Sequence, residues 1–115
     1  MKLEQHPSDL EQELMRNTCD VRKLVQDFPL CSTFKEIDEL NQEVRKSMDL
    51  MRANIDSLEN KAREEGSEEE RLALIQKVEE HRGQLAAAQR QFRQASVLQT
   101  TVLRFNCLKG GSREK

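Results

Sequence analysis

Two segments of this 115-residue chain open on a Thr/Ser-x-x-Glu pattern, contain no proline, and meet at Gly66. Thr33-Phe34-Lys35-Glu36 and Ser67-Glu68-Glu69-Glu70 both read as capping boxes, in which a hydroxyl accepts from the third backbone N–H and the Glu reaches back to the cap. Gly66 between them suits a left-handed C′ position that ends the first segment. A turn this short forces the flanking helices to run antiparallel and to share their apolar faces.

The spacing of apolar residues defines those faces. On the first of the two long segments the stripe is Ile37, Leu40, Val44, Met48, Met51, Ile55, Leu58 and Ala62, with consecutive steps of four around Val44 that predict a stutter. On the second it is Leu72, Ile75, Val78, Leu85, Ala88, Phe92, Ala95, Leu98, Val102 and Phe105, interrupted for one turn at His81 or Arg82. Gly83 weakens this helix by about 1 kcal/mol relative to Ala, but with no second breaker beside it the helix is expected to continue. Gly110-Gly111 is expected to close it. The hairpin seam is therefore predicted to consist of Leu40, Val44, Met48, Met51, Ile55, Leu58, Ile75, Val78, Leu85 and Phe92.

A shorter helix precedes the hairpin. After Pro7, Ser8 or Asp9 can cap it, and Leu10, Leu14, Val21, Leu24 and Phe28 fall on one face, with Asn17 in the same stripe, where a buried polar residue restricts register. Pro29 ends it, because the residue before a proline is pushed out of the α region. The fold expected is all-α: a long antiparallel hairpin with a shorter N-terminal helix in coiled-coil-like packing. The organisation expected is a disordered start over residues 1–7, a helical interaction domain over 8–108 (helices at about 8–28, 34–64 and 68–108) and a flexible tail over 109–115.

Composition argues for an interaction module over an enzyme. Charged residues make up 35% of the chain and aromatics 3%, so narrow helical seams suit it better than a globule enclosing a pocket. His6 lies near the terminus, and His81 sits on or beside a helix seam, where a structural role is expected. Glu79, Glu80 and His81 match neither a zinc-protease helix nor a di-iron bundle, and Glu64 to Glu70 lacks the alternation of a calcium loop. No cofactor and no metal are expected.

Cys19, Cys31 and Cys107 lack ligand spacing and read as buried or half-buried reduced thiols of a reducing cytosol. Met48 and Met51 read as core filler, although thioethers also suit adaptable binding surfaces. No uninterrupted apolar run exceeds four residues, as in Leu85-Ala86-Ala87-Ala88, so membrane insertion by this chain is not expected. The formal net charge of −2 gives no reason to expect nucleic-acid binding. The Glu-rich run before Glu80 and the Arg/Lys excess from Arg82 onward complement the dipole of the last helix.

Four strings carry a resemblance: Glu39-Leu40-Asn41-Gln42-Glu43-Val44, Met51-Arg52-Ala53-Asn54-Ile55-Asp56-Ser57-Leu58-Glu59, Leu74-Ile75-Gln76-Lys77-Val78-Glu79-Glu80-His81 and Phe92-Arg93-Gln94-Ala95. In order and spacing, over roughly Phe34 to Val102, they resemble the N-terminal cytosolic region of the Sec-twenty family of Qb-SNAREs, whose vertebrate member is also described as a Bcl-two-interacting protein. The resemblance implies Golgi-to-endoplasmic-reticulum retrograde transport at the cytoplasmic face of that membrane, with the N-terminal helices binding a tethering-complex subunit and further SNARE-complex proteins as partners. The sequence ends at Lys115 before any SNARE heptads or anchor, as a truncated isoform or fragment would, so fusion activity is not implied.

The last helix is expected to outrun its partner, leaving Leu98, Val102, Phe105 and Leu108 with little cover. Leu98, Val102 and Phe105 are therefore the first candidate partner-binding surface, and Leu14, Val21 and Leu24 the second. The alternative reading of the same stripes is a homo-oligomerising coiled-coil scaffold unrelated to trafficking.

Overall fold

The computed structural model describes residues His6 to Arg113, with side chains as far as Leu108. Helix α1 spans Pro7–Gln26, a 3-10 turn follows at Phe28–Leu30, α2 spans Phe34–Glu64 and α3 spans Glu68–Arg113; no strand occurs among the described residues. The all-α hairpin with a shorter N-terminal helix is thus the architecture observed. Its principal dimensions are 71 × 29 × 15 Å, an elongated rod.

Contacts fix the direction of each helix. Glu11 meets His81, Thr18 meets Gln84 and Phe28 meets Phe92, so α1 runs parallel to α3. Asn17 meets Asn54 and Thr18 meets Met51, and only residues 27–33 connect the two helices, so α1 and α2 are antiparallel. The result is an up-down-up bundle.

The core is one continuous seam made of Leu10, Leu14, Val21, Phe28, Ile37, Val44, Met48, Met51, Ile55, Leu58, Val78, Leu85 and Phe92. Full burial of each large member contributes roughly 1.5–3 kcal/mol, which narrow amphipathic helices need to offset the ordering of so long a chain. The rings of Phe28 and Phe92 lie 5.9 Å apart at 35°, and the Arg45 guanidinium sits 5.8 Å over the centre of Phe92. Met48 and Met51 belong to this core.

Several expected details differ. His6, not Ser8 or Asp9, caps α1: its Nδ1 accepts from the Ser8 N–H at 3.2 Å, because Pro7 with its fixed φ occupies the first helical turn. Only Met1 to Gln5 of the expected disordered start lie outside the described residues. The α-helix ends at Gln26, and Phe28 enters the core from the 3-10 turn that Pro29 permits. Gly66 does not adopt positive φ; Glu65 leaves α2 in extended conformation at φ −70° and ψ 127°, which turns the chain without a left-handed residue.

At the other end, α3 continues through Gly110-Gly111 to Arg113, since glycine weakens a growing helix without blocking it as proline does. The expected tail therefore begins as helix, and Glu114-Lys115 fall outside the described residues. Gly83 is helical, as its isolation predicts.

The stutter at Val44 also resolves differently. Leu40 and Asn41 are both half-buried, and Asn41 completes an alternation of four and three from Ile37 through Val44 to Met48. Ile75 is 41% exposed and not a seam residue, because Leu74 and Val78 occupy the seam at that level. Cys19 and Cys107 are exposed and only Cys31 is half-buried, all three being free thiols; Cys19 lies two residues from both Asn17 and Val21, on the outer side of α1.

Candidate partner-binding surface

The end of the rod opposite the Gly66 turn is built from three pieces. Thr33 starts α2 there, its Oγ1 accepting from the Glu36 N–H at 3.1 Å while Glu36 reaches back to the Ser32 N–H at 2.6 Å, one residue earlier than a standard box. At the far end of the hairpin, Ser67 Oγ likewise accepts from the Glu70 N–H at 3.3 Å. The connector is tied to α3 by Gln99, whose Nε2 donates to the Cys31 carbonyl at 2.9 Å. Gln99 is buried, so the seam register at this level runs through Gln99 and Leu103, and Leu98 is turned out.

A groove of about 690 Å³ results, lined by Pro29, Phe34, Val102 and Cys107 among others. Beside it Leu98 is 64%, Val102 38% and Phe105 60% exposed, and the intervals of four and three place them on one face of α3. Phe34 and Leu108 add exposed apolar surface. Contiguous apolar area of this kind has the geometry that helix-in-groove recognition uses. The first candidate surface is therefore present as a surface.

The second is not. Leu14 and Val21 are fully buried and Leu24 is half-buried against the core, because α1 packs against both helices of the hairpin and spends its stripe on them. The sequence pattern cannot show this, since a docked helix and a free one carry the same stripe.

The polar residues inside the bundle form cross-helix links. Asn54 Nδ2 donates to Asn17 Oδ1 at 2.8 Å, with both side chains buried. His81 is 5% exposed, and its Nε2 lies 3.2 Å from Glu11 Oε1, with Lys77 Nζ 3.8 Å from the other carboxylate oxygen. Arg82 reaches Glu59 at 2.6 Å and Asp56 at 4.0 Å, joining α3 to α2. These links orient helices, and no group of His, Cys, Asp and Glu among the described residues could hold a metal ion. No helix among them is long and apolar enough to cross a membrane.

No protein-family model matches the chain. No solved structure matches it either. Among curated proteins it is 32% identical over 93 residues, covering 80% of its own length, to human vesicle transport protein SEC20. The chain spans 41% of the length of that relative. The chain is thus a Sec20-family relative, built as three packed helices.

Proposed function

We propose that this chain is the protein-binding helical module of a vesicle-transport SNARE, acting in Golgi-to-endoplasmic-reticulum retrograde transport at the cytoplasmic face of the endoplasmic reticulum. Its partner is a subunit of the tethering complex, within reach of the other SNARE-complex proteins. The observation that carries the reading is the exposed face of Leu98, Val102 and Phe105 beside the groove at the end of the bundle. The relationship to a vesicle transport protein supplies the biological setting. Binding proceeds by helix packing, the α3 end adding its apolar face to helices of the partner.

The test is a pull-down of purified tethering-complex subunits with the whole chain and with a Val102→Asp, Phe105→Asp double variant. One subunit is expected to bind, and the double variant to lose at least about tenfold in affinity with its far-ultraviolet helicity unchanged. Retained binding by the variant, or no binding by the parent chain, overturns the reading. A stable dimer or tetramer at micromolar concentration in sedimentation equilibrium, abolished by the same substitutions, places the face between copies of the chain and favours a scaffold.

A further inference from the structure

A different groove runs between the end of α1 and the start of α2, of about 440 Å³ and open to solvent. Its floor is Leu24, Leu30, Cys31 and Leu40, and its rim is Asp27, Glu36, Glu39 and Glu43, with no basic side chain in its lining. Leu24, Cys31 and Leu40 rest on the core, while Leu30 projects from the 3-10 turn and is 76% exposed.

The four carboxylates are poorly compensated. Glu36 spends one oxygen on the Ser32 N–H. Glu39 meets Lys35 at 3.9 Å, with both side chains mostly exposed, a contact worth little. Glu39 and Glu43 are like charges at i, i+4, and Asp27 caps α1 at the negative end of its dipole, so the chain's own geometry leaves net repulsion here. The half-buried Cys31 thiol reports the same field: burial first, then Glu36 and Asp27, push its pKa up.

We infer that this groove is a docking site for a basic amphipathic helix of a partner protein, its apolar residues on the Leu24, Leu30 and Leu40 floor and its Lys or Arg residues against the four-carboxylate rim. Charge complementarity selects the occupant. Anionic lipid headgroups and nucleic-acid phosphates are repelled by the rim, and the carboxylates do not gather closely enough to hold a metal ion. The antiparallel walls of α1 and α2 offer the shape that a further helix fills in a bundle. The site is separate from the Leu98, Val102 and Phe105 face and does not depend on the tether reading.

The probe is a fluorescein-labelled 18-residue helical peptide with Leu at intervals of three and four and Lys flanking them, compared with a version carrying Glu for every Lys. Fluorescence anisotropy is measured with the whole chain at about 50 and 300 mM NaCl, across which the screening length shortens about 2.5-fold, enough to weaken a charge-steered complex. The Lys peptide is expected to bind, more tightly at low salt, and the Glu peptide not to bind. Glu39→Lys with Glu43→Lys should weaken binding at least tenfold, as should Leu30→Asp, whereas Glu79→Lys with Glu80→Lys on α3, and Val102→Asp with Phe105→Asp, should leave it unchanged.

Circular dichroism checks the fold of each variant, and Glu39→Gln with Glu43→Gln repeats the measurement without introducing cations, with a smaller loss expected. Equal affinity for the two peptides, insensitivity to both groove variants, or failure of the Lys peptide to bind overturns the proposal. So does self-association of the chain that disappears on charge reversal, since the occupant would then be a second copy.

Discussion

Single polar residues decide the register of this bundle. Asn17 and Asn54 satisfy each other across the α1–α2 seam, so replacing one strands the other in an apolar site. Asn54→Leu alone is expected to lower stability by about 1–3 kcal/mol in urea unfolding, and the double change to Leu at both positions to recover most of that loss. A pH effect belongs to Cys31. Its folded-state pKa lies above the ordinary 9.0, so the folded chain holds the thiol proton more tightly than the unfolded chain does.

The stability this thiol contributes is complete below pH 9.0 and drains away as pH rises above that value. At pH 8 Cys31 is expected to be alkylated by iodoacetamide after the exposed Cys19 and Cys107, as mass spectrometry of a time course would record. Asn17 is legible from sequence because it interrupts an apolar stripe. Gln99 is not, because Leu98 beside it offers an apolar residue to the same pattern, and only packing reveals that the amide is the one turned inward.

Among the elements, the starts of α2 and α3 are the most readable because hydroxyl caps are local chemistry: Thr33 and Ser67 accept at the spacing the sequence predicts, whereas the start of α1 passes to His6. Helix ends were less so. Glu65 leaves α2 without a left-handed glycine, and the Gly110-Gly111 pair fails to stop α3, since both positions tolerate more than one backbone conformation. Gly83 gives the element-scale prediction. A Cβ built on it meets nothing within 4 Å, and the residue lies inside α3, so Gly83→Ala is expected to stabilise the chain by about 1 kcal/mol in thermal or urea unfolding with partner binding intact.

For the whole molecule, short connections dictate the up-down-up order, and that much follows from Pro29 and Gly66 in the sequence. The burial of α1 against both neighbours does not, because it depends on how three stripes share one seam. This is why Leu14 and Val21 turned out to be core while Leu98, Val102 and Phe105 face outward. The connector between α1 and α2 has a position of its own in this arrangement. Cys31 lines both the groove at the α3 end and the acidic groove between α1 and α2. Linkage between the two sites passes through Cys31 only to the extent that filling one groove displaces it, and a coupling of that kind is equal in both directions.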